Sequence, residues 1–187
     1  MTQDSYYDFE RVYQAVVNQL VSRSSTAPLV LVEVGCFKGA SVIDLGRKLL
    51  GYSSSFELYA VDTWCSLPYE KFDADANFAE FWKYVVAAGL DKNIYPIRRD
   101  SVSAAALFES RVLDMVFLDG DHTFDGLKAD LQAWHPKLKS DGVFAGHDAD
   151  WGEVNLALKA YFTSPGRQGF FFRYERCWSA TTLPYVR

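Results

Sequence analysis

Aspartate and histidine residues cluster at two points of the sequence, each directly after a short apolar run. Asp119, Asp121 and His122 follow one run, and His147 and Asp148 follow the other. If the runs are adjacent parallel strands, about 4.8 Å apart, Asp119 and Asp148 can share a divalent cation, with His147 as a further ligand. Asp119, Asp121 and His122 are the candidate catalytic residues, because carboxylates and imidazoles exchange protons near neutrality. The alternative is that these are ordinary loop residues whose histidines bond to the backbone.

A second polar segment joins an apolar run to a helical pattern. Gly35 allows a sharp turn without a Cβ atom, Gly39 allows close approach of the backbone to a ligand, and Ser41 can offer its hydroxyl to a carboxylate. Asp62 ends the next apolar run, where an acid can accept both hydroxyls of a ribose. The alternatives are an ordinary strand-to-helix turn and a helix N-cap. A G-x-G-x-x-G pattern is absent, so a dinucleotide is not the expected ligand.

Short apolar runs alternate with helical segments along most of the chain, and this order positions the polar residues. It predicts an α/β fold, a Rossmann-like three-layer αβα sandwich with a mostly parallel, seven-stranded sheet and an antiparallel C-terminal hairpin. The predicted strands cover 29–34, 58–61, 94–97, 115–118, 143–145, 170–174 and 178–183. The predicted helices cover 6–21, 40–50, 70–90, 104–110, 126–138 and 154–162, and 137–142 is predicted as a basic helix end followed by a turn. Ligands of such sheets bind at the carboxyl ends of the strands, where the polar residues fall.

Length and composition exclude several classes of protein. A chain of 187 residues with 49% apolar residues favours one domain over 1–187, with a flanking helix within 1–25 and a core over 29–187. The net charge of −5 and the lack of a basic cluster argue against a nucleic-acid partner. No apolar run reaches the roughly 18 residues of a membrane span, so no membrane partner is expected. Three widely spaced cysteines and the lack of a signal sequence favour a cytoplasmic protein.

Four sequence runs resemble those of the class I S-adenosylmethionine-dependent methyltransferases. They are V-E-V-G-C-F-K-G-A-S at 32–41, V-D-T-W at 61–64, F-L-D-G-D-H-T-F-D-G at 117–126 and G-V-F-A-G-H-D at 142–148. Within that class the runs are most similar to family 24, the macrocin O-methyltransferase-like and cephalosporin-hydroxylase-like group. The resemblance covers about 29–162, and the third and fourth runs are its most specific part.

The resemblance implies a role for each part of the strand edge. The methionine part of S-adenosylmethionine would contact the turn after the first strand, at Glu33, Gly35, Gly39 and Ser41, and Phe37 of the same turn would also bind the cofactor. Asp62 would take the ribose hydroxyls, and Asp100 and Ser101 would lie beside the adenine. In related enzymes the acids that match Asp119 and Asp148 hold Mg²⁺ or another divalent cation. Two positions depart from that pattern: Ala149 stands where the relatives have Asn, and their basic Lys has no counterpart after Asp119.

These observations predict an enzyme that methylates a hydroxyl of a small-molecule acceptor, assisted by a divalent metal. The base is either Asp121 or His122. Two other classes of function stay open at this point: a catalytically silent module that binds the cofactor, and a metal-dependent oxygenase or hydrolase that uses the Asp/His cluster. The aromatic C-terminal strands also predict a homodimer.

Overall fold

Strands and helices alternate through the computed structural model, which describes residues 7–23, 27–52, 55–65, 73–164, 169–181 and 183. The helices are α1 (Glu10–Val21), α2 (Ala40–Gly51), α3 (Ala74–Ala87), α4 (Ser101–Ala105), α5 (Phe124–Trp134) and α6 (Gly152–Phe162). The strands are β1 (Leu29–Val34), β2 (Phe56–Asp62), β3 (Ile94–Arg98), β4 (Leu113–Leu118), β5 (Leu138–Gly146), β6 (Phe172–Tyr174) and β7 (Cys177–Ser179). This order confirms the predicted α/β class.

The seven strands form one sheet in the order β3-β2-β1-β4-β5-β7-β6. The first five strands are parallel, and β7 pairs antiparallel with both β5 and β6. The strand order reverses between β1 and β4, and a crevice opens at such a reversal because the loops after the two strands turn to opposite faces. The sheet therefore places its ligand-binding edge at the ends of β1 and β4.

Alternate residues of the central strands feed two apolar cores, one on each face of the sheet. Met115 and Phe117 of β4 pack into the core that includes α1, α2 and α3. Val116 and Leu118 pack into the core that includes α4, α5 and α6. A strand that is apolar on both faces must be covered on both faces, and this confirms the three-layer sandwich.

Several element boundaries differ from those predicted, for identifiable local reasons. Helix α4 begins at Ser101 rather than at 104, because the Asp100 side chain accepts a hydrogen bond from the Ser103 backbone N–H (2.9 Å) and caps the helix there. Helix α3 is shorter than the predicted 70–90: it begins at Ala74, after the Asp73 N-cap, and ends at Ala87, while residues 70–72 lie outside the described part.

Of the prediction over 137–142, the basic helix end at Lys137 is confirmed and the turn after it is wrong. A 3₁₀ turn over His135–Lys137 ends the helical segment, and Pro136, which has no N–H to donate, lies within it. The chain then enters β5 at Leu138, which pairs with Leu113 of β4. The Lys139 ammonium lies 2.8 Å from the Asp114 carboxylate of β4, so this polar half of β5 is stabilised by charge rather than by apolar packing.

Helix α1 and the β6–β7 hairpin are the first and last elements of the described chain. The amphipathic pattern near the N-terminus forms α1, which packs against α2. Within the described residues, no helix has the length and apolar character needed to cross a membrane. The C-terminal hairpin is shorter than expected, and β6 forms one edge of the sheet. Homodimer formation through this edge stays a prediction.

Candidate active site

The loops after β1 and β4 touch at the switch point of the sheet. Gly35 has a φ of 86°, and a Cβ atom added there would lie 2.0 Å from the backbone oxygen of Asp119. The Asp119 N–H in turn donates to the Val34 carbonyl (2.8 Å). Gly35 is therefore required both for its backbone conformation and for the close contact of the two loops.

Asp62, the last residue of β2, holds the turn between β1 and α2 in place through hydrogen bonds. The Asp62 carboxylate accepts hydrogen bonds from the backbone N–H groups of Cys36 (2.9 Å), Phe37 (2.8 Å) and Trp64 (2.7 Å). Asp62 is thus not a helix N-cap, since Asp73 caps α3. Contacts among the described residues use three of its lone-pair positions, and a fourth is left for a ligand. Its contact with a ribose stays a prediction.

Phe37 and Gly39 shape the surface of this turn. Phe37 is 36% exposed and has a positive φ, and its carbonyl accepts a hydrogen bond from the Trp64 indole (2.7 Å). Gly39, with a φ of 85°, stands at the N-cap of α2 and supplies no side chain to cap the helix. Within the described part of the chain, no N-cap side chain bonds to the first-turn N–H groups of α2, so these groups suit a carboxylate ligand.

Glu33 is a fully buried carboxylate near the end of β1. The Tyr13 hydroxyl of α1 donates to its Oε2 atom (2.6 Å), and the Ser41 hydroxyl of α2 donates to its Oε1 atom. Burial raises the pKa of Glu33 to about 8, although the two hydrogen bonds act in the opposite direction. Among the described residues no Lys, Arg or His forms an ion pair with Glu33. A ligand ammonium group would supply the missing positive charge.

Asp100 and Ser101, the predicted adenine-side pair, lie at the end of β3. Asp100 is exposed and caps α4, while the Ser101 hydroxyl accepts a hydrogen bond from the Trp134 indole (2.8 Å). Asp130 of α5 forms a hydrogen bond with Ser101. Burial raises the pKa of Asp130 to about 6, and this hydrogen bond limits the increase. Asp100 and Ser101 thus position α4, and their contact with adenine stays a prediction.

Asp119, His122 and Asp148 meet at the opposite side of the crevice. The Nε2 atom of His122 lies 2.7 Å from an Asp148 carboxylate oxygen and 3.5 Å from an Asp119 carboxylate oxygen. One ligand atom from each of the three residues lies within 4.8 Å of the others, which is the spacing of a metal-binding group. The structure therefore brings together the two acids that the sequence predicts as metal ligands.

His147 lies behind this cluster rather than within it. Its Nδ1 atom is 3.5 Å from Asp119 and 3.4 Å from Asp148, but its Nε2 atom pairs with Asp8 at 2.8 Å. The imidazole also packs against the Phe9 ring, with 4.8 Å between the ring centroids. His122 is thus the imidazole of the compact group with the two acids, and the role of His147 as a metal ligand stays a prediction.

The acids determine the protonation of both imidazoles. Burial lowers the pKa of His122, but pairing with Asp119 and Asp148 outweighs burial and raises it to about 9. The same opposing effects raise the pKa of His147 to about 10. Both imidazoles therefore have a pKa above the neutral range beside these acids. The role of His122 as the base stays a prediction.

Asp121 lies outside the metal-binding group. Its carboxylate is exposed, accepts a hydrogen bond from the Thr123 N–H (2.8 Å) and occupies the space beside Gly126 on α5. Asp121 is also one of the two predicted bases. Its role as a base stays a prediction.

Two further charged residues, Asp8 and Arg176, lie at this site and were not predicted from the sequence. Arg176, in the turn between β6 and β7, pairs with Asp148, with Asp8 (2.9 Å) and with Asp150 (3.3 Å). Asp8 precedes α1 and bridges Arg176 and His147. Neither residue belongs to a motif, and no local pattern could have indicated the contact between the two ends of the chain.

Comparison with known proteins identifies the family. A model of the family 24 methyltransferase domain matches residues 32–149, which is more than half of the chain, and the chain belongs to this family. The matched model and the fold together place the chain among the family 24 methyltransferase domains. The resemblance stated from the four sequence runs is thereby confirmed.

One curated sequence and several solved structures resemble the chain. The uncharacterized protein y4gI of Sinorhizobium fredii (strain NBRC 101917 / NGR234) is 26% identical over 139 residues, or 72% of this chain. The matched region spans 15% of that relative's length. The O-methyltransferase NovP has a TM-score of 0.69 at 12% identity, and the calicheamicin methyltransferase CalS11 has 0.67 at 15%; each match covers 91% of this chain and 77% of the other.

An S-adenosylmethionine-dependent O-methyltransferase of Thermotoga maritima is similar as well. Its TM-score is 0.65 at 16% identity, and the match covers 92% of this chain and 56% of that one. At these identities the structural similarity establishes a shared fold. The acceptor and the atom that is methylated are matters for a proposal.

Proposed function

We propose that the protein transfers the methyl group of S-adenosylmethionine to a hydroxyl oxygen of a small-molecule acceptor, beside a divalent cation held by Asp119, His122 and Asp148. The observation that carries the proposal is the approach of these three side chains to within 4.8 Å, at the switch point and next to the cofactor edge. The names of NovP and of the Thermotoga maritima protein, both O-methyltransferases, support oxygen as the acceptor atom.

The cofactor edge fits the charges of the methionine moiety. The uncapped start of α2 suits its carboxylate, and the buried Glu33, with hydroxyl donors but no cationic partner among the described residues, suits its ammonium group. Asp62 retains a lone-pair position for a ribose hydroxyl. S-adenosylmethionine supplies an electrophilic methyl group on a sulfonium, so the protein needs no nucleophile of its own.

The donor set of the metal-binding group suits a transition metal. Two carboxylates and one imidazole favour Mn²⁺, Fe²⁺ or Zn²⁺ over Mg²⁺, which prefers oxygen ligands. Asp148 pairs with Arg176 through Oδ1 and with His122 through Oδ2, so Oδ2 is the oxygen available to a cation. Cation binding would require His122 to release the proton that the two acids otherwise stabilise.

The remaining chemistry belongs to the side chains around the acceptor. Asp121 accepts the proton of the acceptor hydroxyl, since its carboxylate is exposed two residues after Asp119. Trp151 forms a wall for the acceptor: its ring is 51% exposed and lies 4.9 Å from the His122 ring. Most of the rate would come from holding the hydroxyl in line with the methyl group, which is the main catalytic demand of a displacement.

The test measures S-adenosylhomocysteine formation with phenols, sugar alcohols and hydroxy acids, and with the matching amines and thiols as controls. We expect product with at least one hydroxyl compound, stimulation by Mn²⁺ and loss of activity with EDTA. Product formed only with amines would overturn the choice of oxygen. Binding of S-adenosylhomocysteine without transfer to any acceptor would indicate a silent module. Metal binding without cofactor binding would indicate an oxygenase or a hydrolase.

A further inference from the structure

We propose that Tyr13 of α1 is a positioning residue for the cofactor, because its hydroxyl fixes the Glu33 carboxylate near the ammonium group of the methionine moiety. The inference rests on the placement of that moiety proposed above. It assigns a binding role to α1, a helix that precedes the residues matched by the family model.

Tyr13 reaches Glu33 across the first layer of the fold. Leu31 of β1 packs into the core below α1 and α2, and side chains two residues apart on a strand point to the same face, so Glu33 is directed toward these helices. The Tyr13 hydroxyl then donates to Glu33 Oε2 at 2.6 Å, and both side chains are fully buried. Helix α1 is thereby linked directly to the cofactor edge.

The Tyr13 ring is held in place, so the direction of its hydroxyl is fixed. It packs edge-on against Phe9 at 5.0 Å and against Phe117 at 4.9 Å between ring centroids. These contacts belong to the ring and are retained in Tyr13→Phe. The substitution therefore removes one hydrogen-bond donor and little apolar packing.

The hydroxyl has a specific electrostatic task at Glu33. Each carboxylate oxygen has one hydroxyl donor, Tyr13 on Oε2 and Ser41 on Oε1. Both donors lower the pKa of Glu33 against the effect of burial and so help it to ionise beside an ammonium group; without the Tyr13 donor the carboxyl group holds its proton more tightly and attracts an ammonium group less strongly. Loss of the Tyr13 donor should therefore weaken the binding of ligands that carry the ammonium group, and only those ligands.

Two ligands separate this role from a merely structural one. S-adenosylhomocysteine carries the amino-acid moiety, whereas 5′-methylthioadenosine shares the adenosine and sulfur but lacks that moiety. Isothermal titration of the full chain should show that Tyr13→Phe weakens S-adenosylhomocysteine binding about tenfold, as expected for a hydrogen bond to a charged group. The affinity for 5′-methylthioadenosine should stay within about twofold of the wild-type value.

The control variant is Tyr59→Phe. The Tyr59 hydroxyl also donates to a glutamate, Glu57, at 2.9 Å and is partly buried, but it lies on β2 away from the cofactor edge. It should leave both affinities unchanged. Glu33→Gln should reproduce the selective loss, and Tyr13→Phe should add nothing further in that background, because Tyr13 acts through Glu33.

Different results would contradict the role of Tyr13, its action through Glu33 and the placement of the cofactor. An equal loss for both ligands, or no loss for either, in Tyr13→Phe would overturn it. Additive losses in the double variant would overturn the route through Glu33. If Tyr13→Phe does not fold, Tyr13→Met must show the same selective loss, or the proposal fails. Wild-type protein that binds neither ligand would instead refute the cofactor placement itself, so the two failures are distinguishable.

Discussion

His122 and Asp148 join the loops after two neighbouring strands, with the imidazole Nε2 atom 2.7 Å from the carboxylate Oδ2 atom. The register of β4 and β5 explains this contact, because Leu118 pairs with Gly146 and the two loops begin at the same level of the sheet. Asp119 completes the group from the β4 side. Three polar residues from distant parts of the sequence thus form one site because parallel strands end at a common edge.

Asp119→Asn should weaken metal binding without affecting the cofactor. The amide is neutral and coordinates a divalent cation poorly, so we expect at least about a tenfold loss of Mn²⁺ affinity and a fall in methyl transfer of about a hundredfold or more. Titration with Mn²⁺ and S-adenosylhomocysteine checks both parts. Asp125→Asn, which alters an exposed acid in the first turn of α5, is the control. Unchanged Mn²⁺ affinity in Asp119→Asn would exclude this residue as a ligand.

Arg176→Gln should increase the affinity for a divalent cation. The guanidinium pairs with Asp148 and carries a positive charge beside the metal-binding group, so it competes with a cation for that carboxylate. Its removal should raise the Mn²⁺ affinity by up to about tenfold, given the energy of such a charge near the protein surface. Arg173→Gln is the control, because the Arg173 Nε atom donates to the Glu175 carbonyl in the same hairpin. A lower Mn²⁺ affinity in Arg176→Gln would show that Arg176 organises the site.

Gly35→Ala should destabilise the protein far more than Gly89→Ala. Both glycines have positive φ, but a Cβ atom at Gly35 meets the Asp119 backbone at 2.0 Å, whereas nothing lies within 4 Å of one at Gly89. The strained conformation alone costs about 1–2 kcal/mol, and only Gly35 adds a backbone overlap. Urea unfolding measures both free energies. Similar losses in the two variants would mean that the β1 and β4 loops are less closely packed than the structure shows.

The sequence was sufficient to predict the fold class and the approach of Asp119 to Asp148, since the alternation of strands and helices and the residues after each strand are local patterns. The polar half of β5 was not predicted as a strand because Lys139 is stabilised by Asp114, a residue of another strand. The roles of Asp8 and Arg176 were not predicted because these residues are far apart in the sequence. The periodicity of α1 predicted a helix, but it did not indicate that Tyr13 would lie over Glu33.

Stability should fall with rising pH through ionisation of Glu33. The pKa is about 8 in the folded protein, against a reference value of 4.5, so the folded state binds the proton more tightly. Between those values the folded state holds more protons than the unfolded state, and the free energy of unfolding therefore decreases as the pH rises.

Glu33→Gln cannot ionise, so it should lose less stability than the wild type between pH 5 and pH 8.5. The difference should be on the order of a few kcal/mol, since each unit of pKa shift corresponds to about 1.4 kcal/mol. Urea unfolding at several pH values provides the measurement, and other titrating groups cancel between the two proteins. Parallel curves would mean that the folded protein keeps Glu33 ionised over the whole range.

Trp151→Ala should impair acceptor binding and leave cofactor binding intact. The indole is 51% exposed at the start of α6 and lies 4.9 Å from the His122 ring, so a flat acceptor can stack on it. Such ring contacts contribute about 0.5–1.5 kcal/mol, which predicts a rise of roughly three- to tenfold in the acceptor KM. Steady-state kinetics with a hydroxyl compound that proves to be an acceptor, together with titration of S-adenosylhomocysteine, measures the two effects separately.

Leu156→Ala, the control, removes another exposed apolar side chain, within α6, and should change neither value. A loss of cofactor affinity in Trp151→Ala would place the indole on the cofactor side of the crevice, and an unchanged KM would remove it from the acceptor pocket.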